Sequence, residues 1–206
     1  MRAIIIAVIL IAIGIVYYKL DSIVGYFSMS KIKVTSSYDT KIETKMSLTG
    51  KKILIAFFSW GGNTRAIAHY IHDEIGGDLY EITPKDENHY PKNYKETVDV
   101  GSHEINNNIY PEIHQFPGNI QDYDIILLGY PIWWHAAPMA VQSFLKMYDF
   151  TGKIIMPFAT SGGDDVAITI ESIKAHLKNA TVTEGVTANI KSKIRPWLLK
   201  NKVFND

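Results

Sequence analysis

Residues 53–58 read Ile-Leu-Ile-Ala-Phe-Phe, an unbroken apolar run, followed at once by Ser59, Trp60, Gly61, Gly62, Asn63 and Thr64. Ile67, Ala68, Ile71 and Ile75 then recur at helical spacing. A strand with no polar alternation must be covered on both faces, which is the condition of a parallel sheet in an α/β protein. The junction also has a chemistry. Backbone N–H groups converge in a glycine-bearing turn, and the helix that follows adds partial positive charge, so the turn suits an anion. It has no Lys, so it is not the GxxxxGK[ST] loop of an NTPase, and it lacks the GxGxxG of a nicotinamide-dinucleotide fold. What remains is a neutral cradle of hydroxyls and amides fit for a phosphate monoester.

The alternation continues. Gly76 and Gly77 end the first helix, and residues 79–82 form a short strand. Residues 84–122 are polar and weakly periodic, with a helix expected over 93–105. Residues 125–129, Ile-Ile-Leu-Leu-Gly, read as a second buried strand. Pro138 can occupy the first position of a helix, with Val141, Phe144, Leu145 and Tyr148 on one face. Residues 153–159 are another strand, in which Pro157 implies that its neighbour does not need that N–H. Val166, Ile170, Ile173 and Leu177 mark a further helix, residues 180–186 a last strand, and 196–199 a closing helix. Strands alternating with helices predict a doubly wound α/β sandwich, whose ligands bind beyond the carboxyl ends of the strands. Three loops lie there: 59–64, 130–138 and 160–165.

The chain has 206 residues, 47% of them hydrophobic, and no Cys. Disulfides, thiolate metal sites and Cys nucleophiles are thereby excluded. The zero net charge is a cancellation. Residues 1–49 carry +3, residues 50–188 carry ten Lys/Arg against seventeen Asp/Glu, and residues 189–206 carry +4. An acidic body argues against nucleic acid as a partner. His69 and His72 stand three apart on the first helix, but no further ligand accompanies them and no metal site is assigned. No Ser-His-Asp or paired-carboxylate arrangement stands out, so no catalytic residue is assigned, His135 included.

Residues 3–18 carry no charge, between Arg2 and Lys19. As a helix they span roughly 24 Å, slightly short of a ~30 Å hydrocarbon core. Leu20 and a snorkelling Lys19 extend the reach. The expectation is a membrane anchor over residues 1–20 that contacts the bilayer through residues 3–20, with a cleaved, secretory signal segment as the rival. Residues 21–49 read as a polar tether, and residues 50–206 as the domain. The side of the membrane is left open, because Lys/Arg flank both ends.

Taken together, the three loops resemble those of the flavodoxin family, over roughly residues 51–186. Ser59, Trp60, Gly61, Gly62, Asn63 and Thr64 are similar to its FMN-phosphate loop. Gly129, Tyr130, Pro131, Ile132, Trp133 and Trp134 are similar to its flavin-stacking loop. Thr160, Ser161, Gly162 and Gly163 are similar to the loop at the flavin edge. The resemblance implies a flavodoxin-like three-layer sandwich with a five-stranded parallel sheet of order 2-1-3-4-5, and FMN as cofactor. It implies that Ser59, Asn63, Thr64 and the amides of 60–64 hold the phosphate, that 130–134 border the ring, and that 160–163 approach its edge. Two departures stand out: Gly61 replaces a hydroxyl common in the family, and residues 160–165 contain no aromatic to cover the second flavin face.

The leading functional expectation is a membrane-tethered, FMN-binding electron-transfer protein that serves a redox partner protein or a quinone. The alternatives are an FMN-dependent NAD(P)H/quinone oxidoreductase and a flavin-less α/β module that binds a protein. A phospho-receiver domain shares the topology, but it needs acidic residues where this chain has Phe57, Phe58 and Ser59, and Gly129, Tyr130 and Pro131.

Overall fold

In a computed structural model, which describes residues 50–201, the first apolar run becomes β1, Ile53–Phe57, with every residue buried. The anchor and tether expected over 1–20 and 21–49 lie outside the described residues. Among the described residues no helix is long and apolar enough to cross a membrane.

After β1 come α1 (Asn63–Ile75), β2 (Asp78–Glu81), α2 (Tyr94–Asn107), β3 (Ile125–Pro131), α3 (Met139–Met147) and β4 (Ile154–Thr160). Next are α4 (Ile170–Lys174), β5 (Thr181–Val182), β6 (Val186–Thr187) and α5 (Ile194–Lys200). The strands pair in the order β2-β1-β3-β4-β5, all parallel, and β6 also pairs with β4. This is the doubly wound sheet that the sequence predicts.

Side chains alternate across the strands, and each set meets its own helices. Ile53, Ile55, Phe57, Ile125 and Leu127 pack with Ile67, Ala68 and Ile71 of α1 and with Trp197 and Leu198 of α5. Leu54, Ala56, Ile126, Leu128 and Tyr130 pack with Ala140, Val141, Phe144 and Leu145 of α3. Burying each large apolar side chain contributes about 1.5–3 kcal/mol. Gly129 lies beside Phe158 in the β3–β4 register. A Cβ at Gly129 would stand 2.2 Å from Phe158 Cζ, so the absent side chain is the space the ring fills.

The helix expected over 93–105 is present as α2. The Asn93 side chain caps it by accepting from the Lys95 and Glu96 N–H groups, and Asn108 ends it at φ 52. Three expectations need correction. Pro138 caps α3 from outside rather than opening it, because its ψ of 150 is extended. The helix expected from Val166 to Leu177 is a 3-10 turn, Val166–Thr169, followed by only five α-helical residues. The single last strand is two short ones, and Pro157 supplies the reason. The carbonyls of Lys153, Ile155 and Ala159 accept bonds from Thr181, Thr183 and Ala188, so odd-numbered residues of β4 face that edge. Pro157 faces it without an N–H, in the gap between β5 and β6. Gly185 fills the gap; a Cβ there would meet the Pro157 carbonyl at 3.0 Å and Val166 Cγ2 at 2.8 Å.

Candidate flavin site at the carboxyl edge of the sheet

The turn after β1 is arranged around Ser59, whose Oγ accepts the Gly62 N–H at 3.1 Å. Gly62 takes φ +88 and stands at the N-cap of α1, where glycine carries no side-chain penalty. Neither Asn63 nor Thr64 caps the helix, although both residue types are common caps. The N-cap position makes no side-chain bond, and Ala66 N–H is the donor to the Gly62 carbonyl. The opening amides of α1 therefore keep their donor capacity for a ligand. The buried Thr64 hydroxyl lies 2.9 Å from that of Thr160, which ties the first loop to the end of β4.

Three adjoining cavities open here. The smallest, about 130 Å³, is lined by Ser59, Trp60, Gly61, Asn63, Thr64, Pro131, Trp133 and Thr160. A cleft of about 660 Å³ runs from Asn63 past Pro131, Ile132 and Trp133 to Thr160, Ser161 and Gly162, and on to Asn189 and Lys191. An aromatic cavity of about 330 Å³ lies between Trp60, Tyr94, Trp133 and Trp134.

The tryptophan pair divides as a loop must divide two adjacent bulky rings. Trp133 packs edge-on against Phe58 and Tyr90, with ring centroids 5.5 and 5.1 Å away, and lines all three cavities. Trp134 is 51% exposed and its indole N–H donates to the Val98 carbonyl at 3.1 Å. Trp134 and His135 form a two-residue turn, closed by mutual backbone bonds between Trp133 and Ala136, with φ of 50 and 62. Positive φ at two consecutive non-glycine residues is strained backbone, of the kind that clusters at ligand sites. The ring of His135 lies 3.0 Å from Asp164, which joins the second loop to the third.

Of the residues expected at the site, Ser59, Trp60, Gly61, Asn63, Thr64, Pro131, Ile132, Trp133, Trp134, Thr160, Ser161 and Gly162 all line these cavities. Three take other places. Gly62 shapes the turn. Tyr130 is fully buried in the core, where burial raises its phenol pKa and its hydroxyl lies 2.7 Å from that of Thr169. Gly163 belongs to a turn capped by Ser161 Oγ, which accepts the N–H groups of Gly163 and Asp164. Gly61, Gly162 and Gly163 have negative-side or extended φ, and a Cβ on any of them would meet nothing within 4 Å. Neither the backbone nor the packing of the chain demands glycine there. A ligand approaching the backbone closely would, and this is the sense in which the residues fit a flavin phosphate and ring edge.

Four contributors escape the sequence reading. Tyr94, at the start of α2, is 74% exposed beside Trp60. Asn189 and Lys191 follow β6 and form a fourth loop at the same edge; a last strand ending at Val186 already points its exit there. Glu104, 2% exposed on α2, accepts from Tyr90 Oη at 2.8 Å and pairs with His89 Nε2 at 2.5 Å. Burial, and then the Glu104 charge, push the Tyr90 phenol far up, so it stays protonated against Trp133. His69 and His72 have structural roles: His69 packs on Phe57, and His72 Nδ1 donates to the Gly77 carbonyl.

Comparison with known proteins agrees with this geometry. A search of curated proteins finds no match. Among solved structures, a protein from Bacteroides eggerthii assigned as a flavoprotein is 33% identical, with 73% of this chain and 97% of that one covered and a TM-score of 0.66. A flavoprotein from Lactobacillus acidophilus, solved in complex with FMN, is 26% identical, with 71% and 98% covered and a TM-score of 0.61. The apo form of a flavoprotein from the same organism is 25% identical, with 71% and 97% covered and a TM-score of 0.57. The family model described as flavodoxin matches residues 52–201, and the chain belongs to that family.

Proposed function

We propose that the chain binds FMN at this edge and works as an electron-transfer flavoprotein held at a membrane by its N-terminal apolar segment. The observation that carries the flavin reading is the convergence of the uncapped start of α1, the Trp133 wall and the open Gly61 and Gly162 on contiguous cavities. The relative solved with FMN supports the choice of flavin. Bound FMN would supply the redox chemistry; the chain supplies binding, orientation and access. Ser59 holds the turn through the Gly62 N–H, the amides of Gly61, Asn63 and Thr64 would hold the phosphate, Thr160 braces Thr64, and Trp133 would border the ring. The tether rests on the uncharged residues 3–18.

Purified full-length chain should be yellow, with FMN stoichiometry near one. Colourless protein that stays apo after incubation with FMN would favour the flavin-less module instead. Carbonate-washed membranes should retain the chain and release it when residues 3–20 are deleted; a chain found in the soluble fraction throughout removes the tether.

The 330 Å³ cavity favours a second reading, an FMN-dependent NAD(P)H/quinone oxidoreductase. Its aromatic walls, Trp60, Tyr94, Trp133 and Trp134, offer stacking surfaces to a planar molecule. Steady NADH turnover with a soluble quinone separates this reading from a carrier, which should give none.

A further inference from the structure

The phosphate cradle is neutral, and the body around it is acidic. Residues 50–188 carry seven more acidic than basic side chains. An anion approaching such a domain is repelled unless a local cation focuses the field. The nearest basic residue in sequence, Arg65, does not supply one. Its guanidinium grips Glu81 in a bidentate pair, with Nε and Nη2 donating at 2.9 and 2.5 Å. The Glu81 hydrogen bond is also what raises the Arg65 pKa. The pair lines a cavity on the β2 side of the turn that shares Ser59 and Trp60 with the cradle, and Glu81 neutralises the guanidinium there.

We propose that Lys191 is the anion-recruiting residue of the cleft, supplying the charge that the cradle lacks to the phosphate of the flavin. The inference rests on the FMN reading. Among the described residues that line the three adjoining cavities, Lys191 is the sole Lys or Arg, and it shares the large cleft with Asn63 at the start of α1. Its position is fixed by the third loop. The Ala188 N–H donates to the Ala159 carbonyl at 2.7 Å. The Asn189 amide clasps Ser161 on both sides, accepting its N–H at 2.8 Å and donating to its carbonyl at 2.7 Å.

The Lys191 charge is also left unspent. Its Nζ rests 5.0 Å from the centre of the Tyr70 ring, a contact that steadies the stem without neutralising the ammonium. Glu74, which interacts with the Tyr70 hydroxyl, is paired with Arg195 at 3.7 Å. Among the described residues Lys191 forms no ion pair.

The test titrates apo full-length chain with FMN and with riboflavin, which lacks the phosphate, for wild type, Lys191→Met and Lys193→Met. Methionine keeps the stem over Tyr70 and removes only the charge. At ~0.01 M salt, where screening reaches about 30 Å, Lys191→Met should weaken FMN about fivefold, the scale of one unit charge acting on a phosphate dianion through water. Riboflavin should be unaffected, and at ~1 M salt the FMN difference should close. Lys193→Met, a charge change two residues away outside the cleft lining, should be close to wild type. FMN affinity unchanged in Lys191→Met overturns the proposal, as does an equal loss for riboflavin or an equal effect of Lys193→Met. Wild type that binds neither flavin overturns the FMN reading itself, and this inference with it; tight wild-type FMN binding with an indifferent Lys191 overturns the inference alone.

Discussion

Glu104 offers the sharpest quantitative test of how the site is held. The residue is 2% exposed, and its two carboxylate oxygens serve Tyr90 and His89, both in the irregular segment between β2 and α2. Tyr90 in turn abuts Trp133 and Phe58. Among the described residues no buried side-chain polar atom lacks a partner, so removing this acceptor creates a defect where none exists. Glu104→Leu keeps the volume and deletes both bonds. The Tyr90 hydroxyl is stranded in the core at about 1–3 kcal/mol. His89, a quarter exposed, can turn to water and loses less. The charge-assisted character of both bonds adds to the loss, while relief from desolvating the carboxylate subtracts from it. The net expectation is about 3 kcal/mol for Glu104→Leu and about 1 kcal/mol for Glu104→Gln, which keeps an acceptor but loses the charge.

The decisive variant is the double one. If the penalty for Glu104→Leu comes from an orphaned phenol, Tyr90→Phe should cost about 1 kcal/mol in the wild-type background and close to nothing, or even recover stability, in Glu104→Leu. Replacing both partners by apolar groups is nearly neutral. Urea unfolding of the apo chain measures this directly: with m of about 1–3 kcal/mol/M, Glu104→Leu should lower the midpoint by roughly 1–3 M. Fully additive losses, or equal losses for Gln and Leu, would refute the reasoning.

Three further outcomes follow from the same structure. Gly129→Ala drives a Cβ to 2.2 Å from the buried Phe158 ring and should cost about 1–3 kcal/mol or more in thermal unfolding, whereas Gly61→Ala meets nothing within 4 Å and should leave the apo chain as stable as wild type while weakening FMN. Alkaline pH should unfold the chain through its tyrosines. Burial pushes Tyr80 and Tyr123 up to about 12 and raises Tyr90 and Tyr130 as well; their stabilisation is fully present below pH ~10, where unfolded Tyr is protonated, and is lost as pH rises through the native values. A denaturation midpoint that holds constant from pH 9 to 12 would contradict this. Asn63→Asp sets a carboxylate at the phosphate cavity and should weaken FMN but not riboflavin; equal affinity for both flavins in variant and wild type removes Asn63 from the site.

The sheet was legible in the sequence because each buried strand has a composition of its own. Runs such as 53–58 and 125–129 cannot be anything exposed, and the glycine-rich turns after them must lie at one edge once the strands are parallel. What escaped detection depends on partners distant in sequence or on one residue breaking a pattern. Pro157 and Gly185 split the last strand, shortening the signal that would have placed Asn189 and Lys191 at the cleft. Trp134 and His135 turn the chain at positive φ with no glycine to announce it. Glu104 sits on a polar helix like any solvated carboxylate; only the fold shows that residues 14 and 15 positions earlier close over it. These omissions share a physical cause. The motif supplies a neutral cradle, and a motif is local. The cleft's lysine, and the buried acid that steadies the aromatic wall, come from segments which meet the motif only after the sheet has formed. The site is therefore three local loops plus a periphery that only the assembled fold brings to them, and substitutions in that periphery should tune affinity without touching the loops.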